Sequence, residues 1–456
     1  MKIKFLFLFV LSFTCLSVYS QFSKNANGVT IECPLANVGD TGVVDGVTYT
    51  AVDRASLITK IAAGQASECC TSLVTDMNAL FSGNLTNPDI RSWDTSSVTN
   101  TAIMFMNATN FNQDLSKWNL GKVESTMGMF MGATNFNNGE APGASTNSLN
   151  SWDTSEVVES RFMFNNATSF NQDIGNWDTS KNRTTQAMFK GATRFNRPIG
   201  NWNVSSVVNM SQMFYNAYRF NQDINSWDTS SVIDMSGMFH YRHNTIGDFN
   251  QPLNNWDVSS VQNMSLMFGT TGGTNGRGAF NQDINSWDTS SVTNMQSMFK
   301  GHRTFNKDIS NWNVANVENF SLMFDQAKAF NNGGVSISCW DTSSATSMNY
   351  MFYSATAFNQ DITGWCVPLI GSQPTQFGRG VADQPNWGAA CSGYSVVISF
   401  DDETRTFGDP VFTVTATSNQ LGIPISYSIT DTSIATIEGS SGEITIIKPG
   451  TTIVTA

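Results

Sequence analysis

Charged residues are scarce in this chain, at 13% of 456 residues, and acidic ones prevail, giving a formal net charge of −12. Nucleic acids and anionic membranes bind basic surfaces, so this balance argues against both as partners. Histidine occurs only three times. No nucleophile elbow, zinc-protease motif or nucleotide-binding loop occurs in a fitting context. We therefore expect a protein that is not an enzyme.

Long apolar runs are also absent after the N-terminus. Lys2 and Lys4 precede an apolar run that starts at Phe5, and small residues near Ser20 place a cleavage site before Gln21. This pattern is typical of a secretory signal peptide over residues 1–20, and the run is too short for a membrane span. We expect a secreted or bacterial cell-surface protein without a transmembrane segment.

A motif of 25 residues fills most of the remaining chain, with residues 220–239 (FNQDINSWDTSSVIDMSGMF) as its clearest copy. Its tryptophans step by 25 residues, apart from insertions of 9, 4, 6 and 3. They are Trp93, Trp118, Trp152, Trp177, Trp202, Trp227, Trp256, Trp287, Trp312, Trp340 and Trp365. A fixed period of this length predicts a stacked array in which no unit buries its apolar face alone.

Each repeat has two halves with different apolar spacing. Val207, Met210, Met213, Phe214 and Ala217 lie on one face of a helix, which predicts a short helix over residues 205–217. Residues 220–227 have the length of one short strand and a turn. We therefore predict an α/β solenoid of about eleven coils that curves with its sheet on the concave face, because helices are wider than strands.

Residues 292–312 (VTNMQSMFKGHRTFNKDISNW) and their copies resemble the repeat of BspA-like leucine-rich-repeat bacterial surface proteins. The resemblance covers roughly residues 75–365, although Met-Phe and Phe-Asn pairs replace most leucines. It implies a leucine-rich-repeat-like solenoid carried by secreted or cell-surface proteins, some of which are adhesins.

The flanking segments have compositions of their own. Residues 21–74 predict an N-terminal cap, with a hairpin over residues 43–49 that turns at Asp45-Gly46 and a helix over residues 54–63. Residues 366–394 predict a C-terminal cap and linker. Alternating β-branched residues over 395–456 resemble the second half of bacterial Ig-like domains and predict an Ig-like β-sandwich. The chain stops inside what should be its last strand, so we expect this sandwich to be cut short.

Cysteines lie mostly in these flanks, and only Cys339 falls within the repeats. In an oxidising compartment they predict disulfides that join Cys33 to Cys69 or Cys70, and Cys366 to Cys391. Zinc is the alternative, but no CxxC spacing supports it.

Polar columns recur with the repeat. The asparagine after each Phe predicts a ladder of amides that satisfies turn backbone groups. Two aspartate columns predict turn caps, and bridging Ca²⁺ is the alternative for stacked carboxylates. For tryptophan we favour burial, because eleven exposed indoles would form a very large apolar patch. If exposed, Trp177, Trp202 and Trp227 would form an aromatic ladder suited to a glycan.

Specific binding is expected where the repeat deviates, since loops on a rigid scaffold often carry function. The insertions predict candidate binding loops with His240, Tyr241, Arg242, His243 and Arg277. His240 and His243 have a spacing that suits a metal, but no further ligand lies nearby. The sequence favours an adhesin-like interaction protein that binds an extracellular protein or glycan. The alternative is a structural stalk or surface-layer component.

Overall fold

The computed structural model describes residues 21–144, 148–242, 246–271, 277–378, 381 and 383–389. Beyond these it describes the short stretches 398–399, 410, 412–413, 417–418, 427–438, 443–447 and 454–455. The predicted signal peptide, residues 1–20, lies outside the described residues. Across the described part, no helix has the length and apolar character needed to cross a membrane.

The N-terminal segment folds as predicted locally. Strands β1 (Ser23–Lys24) and β2 (Ile31–Glu32) pair antiparallel, and β3 (Thr41–Val44) forms a hairpin with β4 (Val47–Ala51). Asp45 and Gly46, with φ of 51° and 80°, form the predicted turn. Helix α1 (Arg54–Ala62) begins at a capping box, in which the Asp53 carboxylate accepts the Ser56 N–H. The predicted hairpin and helix are therefore confirmed.

This segment also packs on the first repeats. Strand β5 (Cys69–Cys70) follows a 3₁₀ turn (Ala66–Glu68) and pairs parallel with β4. Val52, Leu57 and Cys69 join the same buried cluster as Phe81 and Trp93 of the repeats. A disulfide joins Cys33 to Cys70, which selects one of the two predicted pairings, and Cys69 is a free, buried thiol.

Successive repeats lie side by side in parallel register. One residue of each repeat forms a single parallel bridge with its neighbour, as in Asn209 with Asp234 and Asp234 with Asn263. The bridges run from Asp76 to Asn100, Ser125 and Glu159, and from Thr184 to Ser347. Each repeat therefore contributes one bridge residue to the pairing, and turns and irregular segments make up the rest of its backbone.

The helix predicted over residues 205–217 is wrong. Alternate N–H groups donate to the next repeat, from Met210 to Asp234, Gln212 to Ser236 and Phe214 to Met238, at 2.8–2.9 Å. Gln212 has a φ of 57°, which a right-handed helix excludes. The strand predicted over residues 220–227 is also wrong, because the parallel bridge lies at Asn209 and Asp234 instead. The stacked turns bury the same apolar side chains, Val207 to Ala217, that the predicted helix would have buried on one face.

The buried interior consists of three aromatic columns. Rings of the Met-Phe column stack from repeat to repeat with centroids 5.3–5.8 Å apart, as in Phe189–Phe214. Rings of the Phe-Asn column stack beside them, and the two phenylalanines of one repeat lie about 4 Å apart, as in Phe214–Phe220 at 3.9 Å. Indoles form the third column, with Trp202–Trp227 at 6.5 Å. Each repeat thus completes the core of its neighbours.

Two insertions add short strands to the repeats. Strand β6 (Tyr241–Arg242) and β7 (Ile246–Gly247) come from one insertion, and β8 (Thr270–Thr271) and β9 (Arg277–Gly278) come from the next. Pairing is parallel between β6 and β8 and between β7 and β9. A third insertion contains a 3₁₀ turn (Asn332–Gly334).

After Trp365 the chain still packs on the last repeats. Phe377 contacts the Phe352 ring edge-on at 5.5 Å and the Trp387 ring at 5.0 Å. Cys366 is disulfide-bonded, and Cys391 lies outside the described residues.

Further strands follow, all of them antiparallel. They are β10 (Ile398–Ser399), β11 (Phe412–Thr413), β12 (Thr417–Ser418), β13 (Ser428–Ile429), β14 (Ala435–Ile437), β15 (Glu443–Ile446) and β16 (Val454–Thr455). Strand β15 lies between β11 and β14, while β10 pairs with β12 and β13 with β16. The Ig-like sandwich and the domain boundaries stay predictions.

Candidate interaction site

The first two insertions with strands, residues 240–248 and 269–279, pair with each other in their described parts through β6 with β8 and β7 with β9, and we call them the inserted ledge. Backbone bonds continue it in both directions, because the Asn216 N–H donates to the His240 carbonyl and the Thr270 N–H donates to the Lys300 carbonyl. The insertions of neighbouring repeats thus add strand pairs to the hydrogen bonds that already join these repeats.

The predicted loop residues have different environments in this ledge. His240 and Tyr241 are buried, with 2% and 3% of their surfaces exposed, while Arg242 is exposed. Arg277 lies in β9, where its backbone pairs with Ile246. His243 lies outside the described residues. Of the predicted residues with described side chains, Arg242 alone is exposed.

Burial also determines the charge state of the ledge. It lowers the pKa of His240 to about 4, with Arg242 adding to the effect, so this imidazole is neutral at pH 7. Burial likewise raises the pKa of Tyr241 above its usual range. Within the described residues, no group of three or more His, Cys, Asp or Glu side chains could hold a metal ion.

A cluster that sequence reasoning missed lies beside the ledge. The ammonium of Lys190 lies 4.7 Å from the centre of the Tyr215 ring, and the guanidinium of Arg242 lies 5.5 Å from it. Desolvation and the charge of Arg242 lower the pKa of Lys190. Two cations on one ring produce a locally positive surface. The signal was present in the sequence as a Lys and a Tyr at the same position of consecutive repeats.

His302 packs beneath the ledge and was also missed. A side chain at Gly278 would overlap the His302 ring, so only glycine allows this contact in β9. The ring meets Phe299 and Phe305 edge-on at 6.4 and 6.2 Å. Within the described part of the chain, neither ring nitrogen has a hydrogen-bond partner. Burial lowers the pKa of His302 to about 4.

The tryptophans do not form an exposed ladder. All eleven are buried, including Trp177, Trp202 and Trp227, and none exposes more than 6% of its surface. Apart from Trp340, their indole N–H groups donate to a carbonyl earlier in the chain, as Trp227 does to the Ile199 carbonyl at 3.0 Å. The favoured prediction of burial is confirmed, and this column offers no platform to a glycan.

The asparagine column is structural, as predicted. Each Asn Oδ1 accepts the N–H of the equivalent asparagine one repeat later, as Asn221 does from Asn250 at 2.9 Å. A glutamine amide often adds a second bond, as Gln251 does to the Asn221 carbonyl. These bonds satisfy backbone groups that face the neighbouring repeat.

The aspartate columns cap turns, as predicted. Asp228 accepts the Ser230 N–H at 3.2 Å, and Asp223 accepts the Asn225 N–H at 2.9 Å. Bonds to Ser259 and Thr363 lower the pKa of Asp257 and Asp361. The repeated polar columns are thus used within the protein.

A cleft of about 500 Å³ lies between the N-terminal segment and the first repeat, and it was also missed. Its lining includes Lys24, Asp45, Asp89 and Arg91. These charges pair with one another, Lys24 with Asp45 and Arg91 with Asp89, each at 2.7 Å. Glu68 also lines the cleft and forms no ion pair among the described residues, so the cleft has one excess negative charge and no excess positive charge.

Comparison with known proteins finds a match to the family described as Mycoplasma protein of unknown function, DUF285. The match recurs over residues 53–141, 140–246, 199–279 and 274–380. No curated protein and no solved structure matches the chain. The matched stretches overlap and span residues 53–380, well over half of the chain, and they support a repeat surface protein. The chain therefore belongs to the DUF285 family.

Proposed function

We propose that this protein is a secreted or cell-surface interaction protein, adhesin-like in role, whose repeats form a rigid leucine-rich-repeat-like solenoid. In this proposal an extracellular protein or glycan binds at the inserted ledge. The Ig-like domain holds the solenoid away from the cell.

The observation that carries the proposal is the ledge itself. Two neighbouring repeats carry insertions that pair with each other through β6 with β8 and β7 with β9. An ordered extension with an exposed Arg242 is a feature that stacking alone does not require. The repeated columns argue the same way, because their Trp, Asn and Asp side chains are occupied inside the protein.

The test is a binding screen of the mature chain, residues 21–456, against arrays of glycans and host extracellular proteins. A ledge variant replaces residues 240–248 and 269–279 each with Tyr-Ser-Ala-Thr-Ala, the five residues at 353–357 of a repeat without insertion. We expect a partner that binds the natural chain and is lost from the ledge variant.

A matched control shortens a different insertion, replacing residues 332–336 by Gln-Asp as in the repeat at 222–223. It should keep the partner. A chain that binds no extracellular molecule in either array would favour the structural stalk or surface-layer alternative and contradict the proposal.

A further inference from the structure

Basic residues in the middle repeats are sorted onto one part of each repeat. We define the rim segments as the stretches from the residue after Met-Phe (or Leu-Met-Phe) to the residue after Phe-Asn. They are residues 190–197, 215–222, 240–251, 269–282, 300–307 and 325–332. Between residues 183 and 332 the chain has 11 Lys and Arg and 10 Asp and Glu. The rim segments contain 10 of those basic residues and only 2 of the acidic ones.

The same segments elsewhere carry no charge. In four other repeats they are residues 106–113, 131–138, 165–172 and 353–360, and none contains a Lys, Arg, Asp or Glu. Because the interior columns are alike in both groups of repeats, the stacking of the core does not require these basic residues. The enrichment is therefore a property of this surface.

Hydrogen bonds join the described parts of the six rim segments from one repeat to the next. The Gly191 N–H donates to the Tyr215 carbonyl at 2.7 Å, and the Asn216 N–H donates to the His240 carbonyl at 2.9 Å. The ladder continues from Tyr241 to Gly269, from Thr270 to Lys300 and from Gly301 to Asp325. Neighbouring Phe rings beneath it are 5.9–6.3 Å apart. Positive side chains thus recur along this surface, which we call the basic rim.

Most of these charges are not neutralised within the protein. Among the described residues, Arg194, Arg219, Arg303, Lys307 and Lys328 form no ion pair, and Lys300 pairs with Asp325 at 3.0 Å. Off the rim, five of the described cations pair with carboxylates: Lys24, Arg54, Arg91, Arg161 and Lys181. Arg194, Arg219 and Lys328 are exposed, so their charges remain accessible to a ligand.

The rim offers little to a protein partner. Protein interfaces are usually centred on buried aromatic and aliphatic anchors. The exposed large hydrophobic side chains of the described residues, such as Val208, Ile233 and Val335, all lie outside the rim segments. A hydrophilic ligand with regularly spaced negative groups fits this surface better.

Resting on the proposed function, we propose that the basic rim binds an anionic polysaccharide, whose sulfate or carboxylate groups pair with successive Arg and Lys side chains. Guanidinium groups bind such oxyanions through two parallel hydrogen bonds. Several weak contacts in register then add up to specific binding.

The test uses the mature chain with fluorescent heparin, polygalacturonate, neutral dextran and poly-glutamate as probes. The rim variant R194Q/R219Q/R303Q/K328Q is compared with K117Q/K122Q/K181Q/R183Q, which removes the same charge from exposed sites off the rim. We expect the rim variant to lose about tenfold or more in affinity for heparin or polygalacturonate, and the control to lose less than about twofold. The dependence of affinity on salt should also be shallower for the rim variant.

Both variants should show the thermal unfolding of the natural chain, so that a lost affinity is not lost folding. Equal losses in both variants, or poly-glutamate binding as tight as the best glycan, would overturn the assignment. Binding of neutral glycans or proteins without either anionic glycan would also overturn it while leaving the proposed function intact. Only a chain that binds nothing at all would remove both.

Discussion

The interior columns and the rim segments of the same repeats obey opposite rules. In the interior, Trp, Phe and Asn recur almost without exception, and the Phe and Asn columns repeat the same contact with the next repeat. Along the rim, length and charge both change from one repeat to the next, and the changes concentrate between residues 183 and 332.

This difference separates two kinds of constraint. A buried ring stacked between two others must keep its size and direction, because packing in protein interiors leaves few voids. A rim residue meets solvent on one side, so a substitution there changes the surface with little effect on stacking. Stability should therefore depend on the columns, and recognition on the rim.

The most severe way to break the columns is Trp227→Ala. It empties a fully buried site and removes the hydrogen bond to the Ile199 carbonyl, so we expect a loss of about 3–5 kcal/mol in the free energy of unfolding. Denaturant unfolding of the mature chain, followed by tryptophan fluorescence and circular dichroism, measures it.

A matched pair isolates the hydrogen bond. The Trp340 indole N–H is buried without an acceptor in the described residues, whereas that of Trp227 has one. Trp227→Phe should therefore cost about 1 kcal/mol more than Trp340→Phe. Equal costs would show that the column is held by ring packing alone.

The second prediction concerns pH and the floor of the ledge. The pKa of His302 falls from 6.5 unfolded to about 4 folded, so the unfolded chain binds more protons between these values. The stabilisation is complete above pH 6.5 and is lost as pH falls towards 4. We expect a decrease of up to about 3 kcal/mol from this residue, measured by denaturant unfolding at several pH values.

His302→Phe is the control, since it keeps an aromatic ring without a titrating group. His240 has a similarly lowered pKa, so the variant should lose roughly half of the pH dependence and keep the rest. An unchanged slope between pH 6.5 and 4.5 would contradict the assignment to His302. Asp257 and Asp361 stay ionised in this window, because hydrogen bonds lower the pKa of both carboxyl groups.

A third change tests whether the ledge depends on the column beneath it. Gly278→Ala places a methyl group against the His302 ring and should cost about 1–3 kcal/mol. Gly371→Ala is the comparison, because nothing lies within 4 Å of a Cβ at that position. Similar effects on the midpoint of unfolding in both variants would disprove the tight contact.

The mildest prediction concerns the amide column. Asn221→Ala leaves the Asn250 N–H without its acceptor and removes one of the two acceptors of the Gln251 amide, and we expect a cost of about 1–2 kcal/mol. Ser231→Ala, at an exposed position of the same repeat, should change stability by less than about 0.5 kcal/mol. The midpoints of denaturant unfolding of the two variants measure this difference, and equal midpoints would contradict the prediction.

The sequence predicted the roles of residues that recur at the same position from repeat to repeat. The repeated Asn and Asp residues predicted turn-forming roles. The repeated Trp predicted a buried column, because eleven exposed indoles would form a very large apolar patch. The capping box before α1 and the Asp45-Gly46 turn are short-range signals that a single sequence carries in full.

The backbone conformation within a repeat could not be predicted from the repeated residues. Val207, Met210, Met213 and Phe214 have helical spacing, yet their N–H groups alternate between the same turn and the next repeat. That choice depends on a neighbour 25 residues away, which a window of one repeat does not contain. The pairing of β6 with β8 also depends on two insertions meeting across repeats.

The indole hydrogen bonds suggest an order in which the repeats fold, from the N-terminal end towards the C-terminal end. Every tryptophan of the repeats except Trp340 donates to a carbonyl earlier in the chain, as Trp227 does to Ile199, and the first, Trp93, donates to the Ala66 carbonyl of the N-terminal segment. A repeat that emerges during synthesis or export thus meets its acceptor in a part of the chain that is already present. Growth can proceed one unit at a time from the N-terminal end, with the segment before Trp93 serving as the template for the first step.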